Sequence, residues 1–291
     1  MSIKRILIPL PGSAWKKTEI DLGLLVGKAL GARVEAVFIH QPHLPAPGGS
    51  ASQMARAART MALTTSWYAN SHVNAAREAR EHFTQSCATI DVPLLSDSNA
   101  TGSGARALWQ ESDGPYVAIT VQKAPGYDLV VAASGNVMDA LKDIAERAIL
   151  KTGRPVILAP ANAPTSITGA TMIAWDESPE CWHAVSAAIP LLQLGTGVKI
   201  VSVDRSVESR KKSQDKLLAY LECHGIAATA EVVTPDINSI GSTLLTIAAQ
   251  QEVSLLVMGA YSHGRIREKL FGGATHHVLG NASSRPVLLA H

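Results

Sequence analysis

Ser254–His291 reads SLLVMGAYSHGRIREKLFGGATHHVLGNASSRPVLLAH, and its layout decides the fold. Leu255–Gly259 is a short apolar run with the length of a buried strand. A polar turn follows at Ala260–His263, then a basic loop with Arg265, Arg267 and Lys269, then the pair Gly272-Gly273 at the expected start of a helix. A spacing of four between Ala274, Val278 and Ala282 gives that helix its apolar stripe, and a last apolar strand follows Pro286. Strand, glycine-bearing loop and helix N-terminus in that order direct backbone N–H groups and the positive end of a helix dipole to the carboxyl edge of a parallel sheet. A phosphate can sit there with no large side chain in the way.

The rest of the chain has to supply the sheet. Its 291 residues suit two units of roughly 145 residues, each large enough to bury a core. A hydrophobic fraction of 46% beside 17% charged residues and few aromatics describes an aliphatic α/β interior rather than a disordered chain. The formal net charge is +2 and the basic residues form no long runs, which argues against nucleic acid and against an anionic membrane surface as partners. Cys87, Cys181 and Cys223 are odd in number and widely spaced, so reduced thiols are expected, with Cys181 and Cys223 on buried helix faces. The opening MSIKRILIPLPGS has too short an apolar run for a signal peptide, and no run approaches a membrane span. A cytoplasmic address is the expectation.

In order, the pattern predicts a strand at Arg5–Leu10, a helix at Thr18–Leu30 stopped by Gly31, and a strand at Val34–Ile39. The Pro/Gly-rich segment HQPHLPAPGGS predicts a loop. Ala51–Cys87 is Ala-rich and helix-favouring, Val92–Leu95 is a candidate third strand, and Trp109–Ala124 reads either as short helices or as a strand. Asp128–Ala132 (strand), Val137–Leu150 (helix) and Pro155–Ala159 (strand) close the first half. The second half predicts strands at Thr171–Trp175, Val198–Val203 and Ala227–Val233. Helices are predicted at Pro179–Leu192, Val207–Cys223 and Ser239–Gln250, ahead of the opening stretch. Alternating strands and helices with short links imply parallel strands and right-handed crossovers.

The halves also match in letters. GRPVILAP (Gly153–Pro160) answers SRPVLLAH (Ser284–His291), DLVVAA (Asp128–Ala133) answers SLLVMG (Ser254–Gly259), and GARVEAVFIH (Gly31–His40) answers GTGVKIVSVD (Gly195–Asp204). A duplicated domain follows, with residues 1–161 and 168–291 as its copies. Asp128 to Arg154 spans 26 positions and Ser254 to Arg285 spans 31, so the first half lacks five residues in the loop assigned to phosphate. It also carries AASGN in place of the MGAYSHG turn. The first half is expected to have lost its site.

Tandem strand–helix repeats ending in a glycine loop and R-P-V-L-L resemble the universal stress protein A family in its two-domain form. Its ATP-binding members carry Gly, two residues, Gly, nine residues, then Gly-Ser or Gly-Thr, with an Asp at the end of the first strand. Here Gly259, Ser262 and Gly272-Gly273 keep that spacing, with Ser262 replacing the second Gly and Gly273 the hydroxyl residue. Gly264 is placed to relieve the turn, and Thr275 offers a hydroxyl. The Asp is present as Asp176 in IAWDESPE, whereas the first-half position is Pro11, whose side chain accepts nothing from a ribose.

The resemblance implies two doubly wound, Rossmann-like α/β domains of the adenine nucleotide alpha-hydrolase type. Their final strands, Val156–Ala159 and Val287–Ala290, would pair edge to edge into an intramolecular pseudo-dimer, with further pairing of whole chains left open. It implies ATP or AMP, with or without magnesium, in the second half. The contacts carried over are Asp176 at the ribose, Val203 beside the base, Met258 as the residue before the first loop glycine, and Gly259, Ser262, Gly264, Gly272, Gly273 and Ala274 in and after the phosphate loop.

Alternatives attach to several of these residues. Asp176 also suits a helix-capping role ahead of Ser178-Pro179. Arg265, Arg267 and Lys269 suit either a solvated face or a triphosphate tail. His263 suits a polar turn as well as a phosphate contact. His276 and His277 point about 100° apart on a helix, which works against shared metal ligation. No Ser-His-Asp order, paired carboxylates or P-loop Lys is present, so catalysis is not indicated and hydrolysis is expected to be slow or absent. The expected role is stress-response regulation through a protein partner that reads the nucleotide state. A hydrolase or transferase with a metal at Asp176, or a ligand-free interaction module, are the other readings.

Overall fold

The computed structural model describes residues 2–40, 73–97, 102–133, 151–204, 207–234, 240–260, 274–275, 277–278 and 284–291. Ser262, Gly264, Gly272 and Gly273 lie outside these residues, as do His263, Arg265, Arg267, Lys269, His276 and Ala282. So do the loop and early helix expected over residues 41–72 and the whole of the Val137–Leu150 helix; residues 151–152, just after it, are helical.

The first five strands are β1 (Arg5–Leu10), β2 (Arg33–His40), β3 (Arg106–Asp113), β4 (Leu129–Ala133) and β5 (Val156–Ala159). Between them stand α1 (Lys17–Leu30), α2 (residues 73–90) and α3 (Tyr116–Lys123). The second five are β6 (Ala170–Ala174), β7 (Gly197–Val203), β8 (Ala228–Val233), β9 (Leu255–Gly259) and β10 (Val287–Ala290), with α4 (Pro179–Leu192), α5 (Val207–Cys223) and α6 (Ile240–Gln250) between them. Residues 274, 275, 277 and 278 are helical, as the Ala274/Val278 spacing predicts.

Among the described residues, ten strands join one sheet in the order β3-β2-β1-β4-β5-β10-β9-β6-β7-β8. Each half repeats the same doubly wound order, parallel throughout. Among these strands the one antiparallel pairing is β5 with β10, in the register Leu158–Val287, Ile157–Leu288 and Val156–Leu289. By the GRPVILAP/SRPVLLAH match, Ile157 and Leu288 are counterparts, so the halves meet about a pseudo-two-fold axis at that pair. Both strands are buried along their length. The expected edge-to-edge seam is therefore present, and each half covers the other's apolar edge.

Two apolar layers flank the sheet. One gathers Ile6, Ile8, Phe38 and Val131 with Ile173, Val185, Leu217 and Leu288; the other gathers Leu7, Val130, Leu158, Met172, Leu256 and Leu289. Alternate strand residues feed opposite faces, and helices cover both, so the strands read as near-continuous apolar runs.

Two expectations need correction. Val92–Leu95 is not the third strand, since Leu94 makes only an isolated bridge to Ala107. β3 carries RALWQESD, polar because it is the outer strand of its half and partly exposed. The Trp109–Ala124 ambiguity resolves into the end of β3 followed by α3. Cys223 is exposed, because the buried stripe of α5 runs through Ser213, Gln214, Leu217 and Leu221 and position 223 falls off that face.

The first half buries a charged cluster at the end of the sheet opposite its crevice. Glu35, 2% exposed, accepts from Arg5 at 2.8 Å and from the Tyr127 hydroxyl at 2.8 Å, and the Arg33 Nε lies 2.9 Å from it. Arg5 also stacks on the Tyr127 ring. Removing the carboxylate strands these donors, although half-exposed Arg5 can regain water. Glu35→Ala is expected to cost about 2 kcal/mol, read as a lowered denaturation midpoint.

Candidate functional site

In the second half the strand order reverses between β6 and β9, which leaves a crevice beyond their carboxyl ends. Ala174 on β6 is in register with Met258 on β9 and with Val201 on β7. Asp176 and Val203 each lie two residues beyond that level, as does Ala260. The three strand ends thus bring Asp176, Val203 and Met258–Gly259 to one rim. Met258 is buried, Val203 half-buried and Asp176 exposed. Ala274 is half-buried, and Thr275, which offered a hydroxyl, is buried.

Asp176 Oδ1 accepts from the Ser178 amide at 3.0 Å and from the Ser178 hydroxyl at 2.6 Å. Ser178 in turn is the N-cap of α4, its Oγ accepting from the Cys181 amide at 3.1 Å, with Pro179 in the first turn. The capping alternative for Asp176 is therefore realised one step removed, since it steadies the residue that caps the helix. The side of Gly259 where a side chain would project belongs to α4. A Cβ there would lie 2.6 Å from the Cys181 amide nitrogen and 2.9 Å from the Glu180 carbonyl carbon. Glycine lets β9 and the first turn of α4 touch backbone to backbone.

Cys181 lies beneath this contact, its thiol donating to the Ala174 carbonyl at 3.2 Å. Burial, with the Asp176 charge adding to it, pushes the thiol up to about 12, so it stays protonated and unreactive. Beyond β9 the chain is fixed by Ala260, whose amide donates to the Ala290 carbonyl at 2.8 Å. The His291 Nδ1 meets the Ala260 carbonyl at 2.9 Å.

No sequence signal singled out Arg210, Ser213 and Lys216 on α5, yet they address three consecutive residues of the β6–α4 link. The Trp175 indole donates to Ser213 Oγ at 2.7 Å. Arg210 Nη1 donates to the Asp176 carbonyl at 2.8 Å while its Nε donates to Asp204 Oδ2 at 2.6 Å. Lys216 pairs with Glu177 at 2.8 Å, and that contact holds the Glu177 carboxyl below its ordinary value. A spacing of three along one helix face was the available clue. A polar groove of about 450 Å³ lies beside this link, lined by Glu177, Glu208, Ser209, Lys212, Ser213 and Lys216.

The first-half rim differs. Sheet register puts Pro11 opposite the Asp176 position and Ala133 at the Gly259 position. The β1–α1 link also inserts a short 3₁₀ turn, Gly12–Ala14. Glu19, at the third position of α1, takes the place that Cys181 takes in α4. It is 1% exposed and accepts from the Lys16 amide at 2.9 Å.

Nearby on the first half, His82 and Ser86 both meet Asp21 Oδ1, at 3.0 and 2.6 Å. His82 uses the same Nε2 toward Asp21 and toward Ser86, which is not the relay of a nucleophilic triad. The three side chains stitch α1 to α2. Among the described residues no cluster of His, Cys, Asp and Glu is arranged to hold a metal, and no helix is long and apolar enough to cross a membrane.

Comparison with known proteins bears on the fold. The model of the Universal stress protein family matches residues 170–291. A universal stress protein from Archaeoglobus fulgidus DSM 4304 superposes with a TM-score of 0.69 at 14% identity, covering 99% of this chain and 96% of its own. A functionally unknown protein from Pseudomonas aeruginosa PAO1 gives 0.56 at 11% identity, covering 99% of this chain and 92% of its own. A search of curated proteins found no match. At these identities the structural likeness speaks for the fold, and the family match speaks for the second half. Residues 170–291 are thus similar to the universal stress protein family, and the chain as a whole has a fold like that of the Archaeoglobus fulgidus protein.

Proposed function

We propose that the second half binds an adenine nucleotide, ATP or AMP, in the crevice between β6 and β9, and that its nucleotide state alters the surface offered to a protein partner. The observation that carries this reading is the convergence of Asp176, Val203 and Met258–Gly259 on one rim at the switch point of the family-matched domain. Phosphates would lie beyond Ala260, toward the helical residues 274, 275, 277 and 278, where backbone N–H groups and a helix dipole favour an anion. Asp176 would face the ribose and Val203 the base. The family match supports a stress-response role, and slow or absent hydrolysis fits a site without a P-loop lysine. Among the described residues, the first-half rim, with Pro11 and Ala133, carries no equivalent set.

The test begins with acid extraction of the purified protein, chromatography of the supernatant, and calorimetric titration of ATP and AMP into stripped chain. About one adenine nucleotide per chain is expected from a single working half. About two would mean that the first half also binds. No retained nucleotide and no heat would replace this reading with that of a ligand-free interaction module.

A further inference from the structure

We propose that Arg210 is a positioning residue for ribose recognition, holding the Asp176 turn in the conformation that presents its carboxylate; this rests on the nucleotide reading above. Trp175, Asp176 and Glu177 are gripped in succession from one face of α5 by Ser213, Arg210 and Lys216. They need gripping because Glu177 holds φ at +68°. Left-handed backbone is unfavourable for a residue with a side chain and persists where surrounding contacts over-determine it.

Among these three contacts, Arg210 alone fixes backbone and strand at once. Its Nη1 takes the Asp176 carbonyl and its Nε takes the Asp204 carboxylate, joining the ends of β6 and β7. Asp204 follows Val203 directly, and its own amide is spent on the Val233 carbonyl at 3.0 Å, so the anchor is rigidly seated. The planar guanidinium suits two acceptors in fixed directions, which a lysine ammonium would not hold in the same way. With the Asp176 carbonyl pinned and Oδ1 turned to Ser178, the side-chain direction of Asp176 is set before any ligand arrives. Preorganisation of this kind raises affinity by lowering the ordering cost of binding.

The experiment titrates ATP and 2′,3′-dideoxy-ATP into the full chain and into R210Q. The wild type should prefer ATP by about tenfold, the usual weight of hydrogen bonds to a charged group. In R210Q, ATP affinity should fall about tenfold while dideoxy-ATP affinity stays within about twofold, so the preference collapses. D204N, which removes the charge of the anchor but keeps an acceptor and the arginine, should shift the ratio in the same direction and by less; it also serves if R210Q folds poorly. A wild-type ratio retained in both variants, or an equal loss for both nucleotides, overturns the positioning role and leaves the nucleotide reading standing. A wild type that binds both nucleotides equally overturns ribose recognition alone. Binding of neither removes both readings.

Discussion

Gly259→Ala should destabilise the chain by about 3–5 kcal/mol and weaken nucleotide binding along with it. The added methyl would lie 2.6, 2.9 and 3.0 Å from three backbone atoms of Glu180 and Cys181. No rotamer change relieves contacts with backbone, so α4 must move off β9. That movement breaks the Ser178 cap at 3.1 Å and disturbs the Asp176–Ser178 bonds that share it. Stability and site geometry are therefore coupled through one missing methyl group. Urea denaturation read by tryptophan fluorescence checks the first effect, because Trp175 and Trp182 pack edge to face near the shifted turn. The first half provides a control. Ala133 occupies the equivalent position and is already accommodated there, so Ala133→Gly should leave the midpoint within about 1 kcal/mol of the wild type. A midpoint for Gly259→Ala as close to wild type as that would mean the helix can yield, and the backbone contact would lose its significance.

The second large effect is in pH. Burial pushes the Glu19 carboxyl up to about 8 from an ordinary 4.5, against the opposing pull of the Lys16 amide and charge and of the Ala133 amide. Across that interval the folded chain keeps a proton that the unfolded chain releases. Its contribution to stability is thus complete below pH 4.5 and is lost as pH rises to about 8. The total loss is about 3–5 kcal/mol by linkage. Glu19→Gln keeps the shape and the acceptor oxygen but cannot ionise. Wild type and variant should be matched in stability near pH 4.5, and the variant should be the more stable by several kcal/mol at pH 9. Denaturation series at the two ends of the range decide it. Parallel stabilities across the range would mean that the carboxylate gains solvent on ionising.

The duplicated α/β architecture was legible because buried parallel strands write themselves as apolar runs. LLVMG, VILA and VLLA leave little else to be, and the matched letters between halves fix their correspondence. Pro179–Leu192 and Val207–Cys223 were also legible at both ends, from Ser178-Pro179 at one start and an uninterrupted polar helix at the other. The edge strand β3 was not, since a strand with one covered face and an open side carries Arg, Gln, Glu, Ser and Asp as readily as a loop does. VPLL competed with it by hydrophobicity alone.

Asp176, Val203 and Gly259 could be placed at strand ends, because strand ends follow from strand starts; their candidate roles came from the family resemblance. The role of Gly259 against α4 could not be read, because close approach of two backbones leaves no mark in the letters beyond the glycine itself. Arg210 was hidden for a related reason. It lies 34 positions from the carbonyl it holds, on a charged helix where any of several basic residues was an equal candidate. Glu19 looked like an ordinary acidic residue in a first helical turn, and only its near-complete burial makes it unusual.

The antiparallel seam at Ile157 and Leu288 has a geometric corollary. Strands on either side of it run in opposite directions, so the two carboxyl rims face away from each other across the sheet. In a dimer of identical chains, both rims would answer alike to the same small molecule. Unlike halves remove that obligation: on the proposed nucleotide reading one pole would change with nucleotide state, while the pole carrying Pro11 and Ala133 would not. Such a molecule has a front and a back, and an assembly built on it could be attached permanently at one pole and conditionally at the other.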